Sequence, residues 1–227
     1  MRFRDRMEGG RRLASLLLPY RGGNDVVLGL ARGGMLVAYE VARALEAPLQ
    51  VWVARKVDLP GRRLTLGAVS EGDGLYMDPD ALRLSPRLEP MFRNLANDTR
   101  ADIESEVQRL RAQTFLELGG RTVLLVDDAL VTGASAAAAL QALRKQRPGR
   151  LILATPVATP HALEVVRPLA NAVHCVRTIS ALGSVSEAYD DSRPVPDAEV
   201  RRLLERSREP PLPLEVLVST DPGGFWM

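Results

Sequence analysis

The 227-residue sequence predicts an α/β fold with a central, mostly parallel sheet flanked by helices, and three observations carry that expectation. Compact apolar runs alternate with stretches whose apolar residues recur every three or four positions. The runs Asp25–Leu30 (DVVLGL), Thr122–Val126 (TVLLV) and Leu151–Val157 are almost wholly apolar, as strands covered on both faces must be. Two of them end in polar, glycine-bearing turns that lead directly into a helix.

Length and composition bound the answer. A chain of this size buries one good core, so residues 1–207 are expected to form a single domain and 208–227 an extended Pro-rich tail. The hydrophobic fraction, 46%, and the charged fraction, 26%, are ordinary for a globular protein. Lys plus Arg is 30 and Asp plus Glu is 28, a net charge of +2. So small an excess gives no basis for nucleic-acid or membrane partners. The single cysteine, Cys175, rules out an intrachain disulfide and fits a reducing cytoplasm. It lies in an apolar run and reads as a buried structural thiol. The opening residues MRFRDRMEGG lack the apolar segment of a secretory signal, and no apolar stretch approaches a membrane span.

The elements follow in order. Arg11–Leu18 reads as a short helix with Leu13, Leu16 and Leu17 on one face. Asp25–Leu30 is the first strand. Val37, Val41 and Leu45 mark the next helix, which Pro48 stops. Leu49–Ala54 is a second strand, closed by Arg55-Lys56. Residues 62–77 are irregular or hairpin-like, with Gly67, Gly72 and Gly74 as turn points. Ala96–Leu118 is the longest amphipathic stretch, striped by Ile103, Val107 and Leu110. Its Asp98, Asp102 and Glu104 lie early and Arg109 and Arg111 late, which suits the helix dipole. It offers a face either to a homodimer or to the chain's own sheet. Gly119-Gly120 breaks it. Thr122–Val126 is the clearest buried strand, and an alanine-rich helix, Ala134–Leu143, follows. Then come strand Leu151–Val157, a short helix Pro160–Leu169, strand Val173–Val176 and an irregular stretch 179–196. Asp197 is expected to cap a final helix that turns Val200, Leu203 and Leu204 inward. His161 and His174 have no metal-type ligand near them and read as structural.

The chemistry concentrates in Val123-Leu124-Leu125-Val126-Asp127-Asp128-Ala129-Leu130-Val131-Thr132-Gly133-Ala134-Ser135. Two carboxylates stand at the C-terminal end of a strand, where open α/β sheets bind ligands. The following helix start offers unpaired N–H groups and a positive dipole end to a phosphate. Gly133 lets the backbone approach an anion, and Thr132 and Ser135 add hydroxyl donors. Ionised carboxylates only accept hydrogen bonds, so they suit sugar hydroxyls, directly or through water on Mg²⁺.

This order of features resembles the signature that binds 5-phosphoribosyl-1-pyrophosphate (PRPP) in the type I phosphoribosyltransferases. The resemblance implies that fold, with a small hood formed by the N-terminal residues and about 178–207. It implies transfer of the phosphoribosyl group from PRPP to an unidentified nitrogen acceptor, a nucleobase first of all, with Mg²⁺. Asp127 and Asp128 would bind the ribose hydroxyls, and Ala129, Leu130, Val131, Thr132, Gly133, Ala134 and Ser135 would wrap the 5-phosphate. Ala31, Arg32, Gly33 and Gly34 resemble the family's pyrophosphate loop, and a cis peptide is expected at Ala31–Arg32. Arg55 and Lys56 occupy the place of a basic residue that touches pyrophosphate, with Asp58–Thr65, including Arg62 and Arg63, as a candidate lid. Arg32 and Lys56 join the two aspartates as candidate catalytic groups. Val185 and Tyr189 are candidates for the acceptor, and Asp190 for an indirect contact to the metal beside Asp127 and Asp128. FRDR near the start, Gly67-Ala68 and Tyr189-Asp190-Asp191 extend the similarity to a bacterial group of predicted phosphoribosyltransferases, over roughly residues 3–205. One departure stands out. Several nucleobase-using members carry an acid at the third position after the aspartate pair, and here it is Val131. A PRPP- or nucleotide-binding regulator with the same fold is therefore the alternative to an enzyme.

Overall fold

The structure is a computed structural model that describes residues 2–62, 64–111 and 117–208. In chain order its elements are α1 (Arg6–Leu17), β1 (Asp25–Leu30), α2 (Gly33–Leu45), β2 (Leu49–Trp52), β3 (Ala54–Asp58), β4 (Thr65–Ser70), β5 (Gly74–Met77), α3 (Pro79–Leu84) and α4 (Leu88–Leu110). They continue with β6 (Thr122–Val126), α5 (Ala134–Lys145), β7 (Arg150–Ala158), α6 (Pro160–Val166), β8 (Ala172–Thr178) and α7 (Asp197–Arg206).

Five strands form the central sheet in the order β2-β1-β6-β7-β8, every neighbouring pair parallel. Alternate residues feed two apolar layers. Val27, Leu124, Val126, Ile152 and Ala154 join Leu13 of α1 and Val37, Val41 and Leu45 of α2. Val26, Leu28, Val123, Leu125, Leu151 and Leu153 join Leu140 and Leu143 of α5 and Leu163 of α6. Both faces are covered, which is why these strands are apolar along their length. The chain lays β2 on one side of β1 and then crosses to place β6 on the other. That reversal leaves a crevice beyond the carboxyl ends of β1 and β6.

A second, antiparallel sheet, β3-β4-β5, stands apart from the first. Val57, Leu66 and Val69 pack with Phe92, Ala96 and Ile103 of α4, while Ala68 and Tyr76 meet Ala134 and Ala138 of α5. Here the structure corrects the expected strand Leu49–Ala54. The run breaks at Val53 and changes sheets, because Val53 N donates to Glu71 Oε1 (2.7 Å) and Val53 O accepts from Glu71 N (3.0 Å). Arg55 and Lys56 therefore lie inside β3 rather than closing β2. Residues 65–77 form a hairpin that turns at Gly72 and Asp73, both at positive φ. Gly67 and Gly74 are strand residues, not turn points. A Cβ on Gly74 would fall 2.1 Å from the Ala138 carbonyl oxygen, so this glycine lets α5 rest directly on β5.

Three helices also differ from expectation. The first starts at Arg6, because the Asp5 carboxylate accepts from Glu8 N (2.7 Å), and Gly9 and Gly10 hid that turn from the pattern. The long amphipathic helix runs from Leu88 instead of Ala96 and ends at Leu110 instead of Leu118: Arg111 caps it in an extended conformation, and 112–116 lie outside the described residues. Ile103 and Leu110 of its stripe are buried within the chain, so that stripe is already covered. Pro196, not Asp197, holds the cap position of α7. The Asp197 carboxylate turns instead to Arg32 and Arg109. Val200, Leu203 and Leu204 are buried as expected, but they join the main core rather than the hood. The hood itself is a join between the chain ends: Phe3 bridges Tyr189, and Phe3, Leu182, Ala188 and Tyr189 share a cluster with Ala129 and Val157. Cys175 is half-buried with its thiol on the Arg177 carbonyl (3.1 Å). His174 pairs with the Tyr20 hydroxyl (2.9 Å), and His161 is exposed. Among the described residues no helix is long and apolar enough to cross a membrane.

Gly74→Ala forces either β5 or α5 to move. It is expected to lower the unfolding free energy by about 1–3 kcal/mol in urea denaturation. An unchanged midpoint would mean that α5 does not rest on β5 as described.

Candidate functional site

β6 delivers the two carboxylates to the crevice. Asp127 N donates to Ala154 O (3.1 Å), which extends the ladder one residue past the strand. Asp127 Oδ1 then accepts from Asp128 N (2.9 Å). Asp128 is only 7% exposed and is held from several sides. Its Oδ2 accepts from Arg6 Nε at 2.6 Å, and its carbonyl accepts from the Tyr189 hydroxyl at 2.5 Å. Arg6 also donates to the Arg193 carbonyl (3.1 Å) and lies 5.4 Å from the centre of the Tyr189 ring. Among the described residues Asp127 has no comparable partner. Burial and the adjacent Asp128 push its carboxyl well above the usual carboxylate range, and Lys56 only partly offsets them.

The turn from Ala129 to Ser135 faces this pair. Leu130 N donates to Val157 O (2.9 Å), Thr159 N to Leu130 O (2.9 Å) and Thr159 Oγ1 to Val131 O (2.8 Å), so the loop is pinned to the end of β7. Gly133 caps α5 at φ 79°, a left-handed conformation that favours glycine. The backbone bonding of α5 opens with Ala137 N to Gly133 O (2.8 Å). Ala134 N makes only a long contact to Thr132 Oγ1 (3.4 Å). Among the described residues the amides of Thr132, Gly133, Ser135 and Ala136 have no protein acceptor. They form an open cradle for an anion at the helix start.

The opposite wall comes from the turn after β1, where the Ala31–Arg32 peptide is cis, as the resemblance implied. A Cβ on Gly33 would fall 2.0 Å from Asp128 Oδ2, and one on Gly34 would fall 2.8 Å from the Val126 carbonyl. These glycines let α2 begin flush against the carboxylate pair, a packing reason distinct from the expected approach to a ligand.

The structure separates the three basic residues expected at pyrophosphate. Lys56 lines the cleft. The guanidinium of Arg32 turns to α4 and α7, with Nη2 3.0 Å from Glu106 Oε1 and Nε 2.7 Å from Asp197 Oδ1. Arg55 is drawn to the same buried Glu106, with Nη2 2.6 Å from Oε2.

The cleft encloses about 550 Å³, counting its open mouth. Its lining contains Asp127, Asp128, every residue from Ala129 to Ser135, Ala31, Lys56 and Val185. Tyr189 is not among them. It is 1% exposed and packed against Phe3, so it builds the hood instead of meeting a ligand. Asp190 is exposed, does not line the cleft, and donates its backbone N–H to Phe3 O (2.9 Å). The candidate lid spans the β3–β4 connection, closed by Leu59 N to Leu64 O (2.8 Å), and Arg63 lies outside the described residues. No cluster of three metal-type side chains occurs among the described residues. Asp127 and Asp128 thus fit Mg²⁺ only as partial ligands, completed by water and phosphate oxygens. Arg6 and Glu106 escaped the sequence reading. FRDR stood out as a string, but no local signal pairs Arg6 with an acid at position 128. Glu106 looked like one more charge on a solvated helix face.

The chain is similar to known proteins. Residues 5–191 match the model of the Phosphoribosyl transferase domain family. A Mycobacterium tuberculosis protein provisionally named a phosphoribosyl transferase is 32% identical over 207 residues, which cover 90% of this chain and 47% of that protein. The chain thus spans about half the length of that curated relative. A uracil phosphoribosyltransferase of Myxococcus xanthus is 34% identical over 147 residues, 62% of this chain and 67% of the relative. The crystal structure of TT1426 from Thermus thermophilus is 39% identical, with a TM-score of 0.74 over 91% of this chain and 99% of that one.

The raised Asp127 carboxyl links stability to pH. Below its ordinary value of 3.8 the group is protonated in both states and carries no penalty. As pH rises, the unfolded chain releases the proton first, and the folded state loses ground until its own higher pKa is passed. Asp127→Asn is therefore expected to be more stable than the parent at pH 7, with a smaller gap at pH 4. Urea denaturation at both values tests this, and a gap that shrinks with rising pH would contradict it.

Proposed function

The chain belongs to the phosphoribosyl transferase domain family, and on that premise we propose that it transfers the 5-phosphoribosyl group of PRPP to a nitrogen acceptor and releases pyrophosphate. The observation that carries this reading is the shared lining of the cleft. A carboxylate pair and a left-handed, amide-rich turn at a helix start line the same cleft. Those are the groups a phosphorylated pentose requires at its two ends.

In this reading the 5-phosphate accepts hydrogen bonds from the free amides of Thr132, Gly133, Ser135 and Ala136. The ribose hydroxyls donate to the Asp127 carboxylate. Asp128 helps through its second oxygen, since Oδ2 is engaged by Arg6. The bond between ribose C1 and the pyrophosphate oxygen breaks, and the electron pair leaves with pyrophosphate. Positive charge develops on the ring, as in other glycosyl transfers. The acceptor nitrogen then donates its lone pair to C1 from the other face and loses its proton, if it carries one, to solvent. Lys56 on β3 and the turn at Ala31 flank the leaving group. Mg²⁺ bound with the pyrophosphate, facing Asp127 and Asp128, would offset the charge of the departing oxygens. The hood holds the acceptor near Val185 and excludes water. The relative named for uracil supports a nucleobase as the acceptor to test first. The partners in this reading are small molecules in the cytoplasm.

One observation favours the alternative, a PRPP- or nucleotide-binding regulator. Val131 packs with the apolar hood cluster and offers no side chain to move a proton on a base. Mg²⁺-dependent release of pyrophosphate against a panel of purines, pyrimidines and amines separates the two readings.

Asp127→Asn combined with Asp128→Asn is expected to weaken Mg-PRPP binding at least a hundredfold by calorimetry, with the helix signal in circular dichroism unchanged. Undiminished affinity in the folded double variant would overturn the proposal.

A further inference from the structure

Outside the cleft lining lies a second ionic cluster. Glu106 sits on the inward face of α4 with its side chain 5% exposed. Its Oε1 lies 3.0 Å from Arg32 Nη2, and its Oε2 takes Arg55 through Nε at 2.8 Å and Nη2 at 2.6 Å. The carboxylate of Asp197, the first residue of α7, lies 2.7 Å from Arg32 Nε and 3.3 Å from Arg109 Nε. One guanidinium, that of Arg32, therefore joins the turn after β1 to two helices that arrive much later in the chain. Two guanidiniums meet the buried Glu106 carboxylate, those of Arg32 and Arg55. Both contacts of Arg32 are ion pairs by distance, with no aligned hydrogen bond at Nε, and they reach the two acids through two different guanidinium nitrogens, which a single lysine ammonium does less well.

The consequence concerns the turn itself. Arg32 is the residue that follows the cis peptide, and its side chain points away from the cleft, whereas its neighbour Ala31 lines it beside Lys56. We infer that Glu106 and Asp197 are positioning residues. They clamp the Arg32 guanidinium and so hold the Ala31–Gly34 turn in register with Lys56, and Arg32 acts on pyrophosphate through this clamp and not by contact. The inference rests on the PRPP reading above and adds to it a role for two residues outside the cleft. It also reverses the simpler expectation that the arginine of this turn is itself the ligand cation.

The two roles give opposite signatures. If Arg32 is an anchor, Arg32→Met, Arg32→Lys and Asp197→Asn each weaken binding of Mg-PRPP and of inorganic pyrophosphate about tenfold or more. Lysine fails to rescue because it cannot bridge both acids. Arg32→Met combined with Asp197→Asn is then no worse than Arg32→Met alone, since the arginine change already removes the contact that the asparagine would weaken. If Arg32 were a contact cation, Arg32→Lys would keep most of the affinity, and Asp197→Asn would leave binding unchanged or tighten it by freeing the guanidinium. Either of those results overturns the inference. Asp197→Asn is the informative variant because it leaves the pairing of Glu106 with Arg55 intact. Hydrogen exchange supplies a readout that needs no ligand. In Asp197→Asn the amides of residues 32–35 are expected to exchange faster, while those of β6 and β7 keep parental rates. Unchanged exchange at 32–35 sinks the clamp even if nothing binds. Failure of the parent protein to bind Mg-PRPP, with faster exchange at the turn in the variant, would sink the PRPP reading and leave the clamp standing.

Discussion

Two like charges side by side at the end of a buried strand are the constraint on which this structure turns. β6 ends at Val126, and the next two residues are both acidic. A protein interior does not tolerate such a pair without compensation, because each carboxylate loses water and repels the other. The fold resolves this unequally. Asp128 receives Arg6 at 2.6 Å and is fixed by Tyr189 through its backbone. Asp127 receives only a backbone amide and the distant field of Lys56, and its carboxyl stays raised. One acid is structural in its pairing, and the other keeps its oxygens for something outside the chain. Groups whose charge the protein leaves poorly compensated are where ligands offset the cost.

The topology makes that possible. With β1 and β6 adjacent and parallel, the two turns at their carboxyl ends open side by side. Gly33 and Gly34 bring the start of α2 flush against the acids, and Gly133 sets the start of α5 across from them. Two helix starts thus lie near the carboxylate pair, and their dipole ends favour anions there. The small antiparallel sheet contributes Lys56 in the same way, by position. β3 departs from the edge of the main sheet at Val53 and carries the lysine to the cleft while α4 and α5 cover its two faces.

What was legible in the sequence follows from this physics. β1 and β6 were readable to the residue because strands buried on both faces must be apolar throughout. The segment from Asp127 to Ser135 was readable because it packs strand end, acids and helix start into one short stretch. The split of Leu49–Ala54 between two sheets was not readable, since hydrophobicity reports burial and says nothing of which partner a strand takes. The roles of Arg6, Glu106 and Asp197 were hidden for a related reason. Each pairs with a group far away in the chain, and sequence carries no local trace of an ion pair across 122 positions. Tyr189 illustrates the limit in the other direction. Its place in the chain suggested the acceptor, but its hydroxyl is taken by the Asp128 carbonyl and its ring by Phe3 and Arg6.

These long-range pairs explain why the site is a property of the whole domain. Arg6 comes from the N-terminal helix, the acids from the middle strand, and Arg193 and Tyr189 from the hood. Removing one partner of a buried pair costs about 3–5 kcal/mol, a large share of the stability of any domain. The charged groups around the cleft therefore do not sit on a fold that would exist without them. They fasten the chain ends to the strand that carries the acids, so the order of the cleft and the integrity of the hood rise and fall together. A hood tied this way can change its cleft-facing residues, such as Val185, without loosening the sugar-phosphate end. In the proposed reading, that separation is the physical reason why the acid pair and the turn after it speak clearly in the sequence while the acceptor does not.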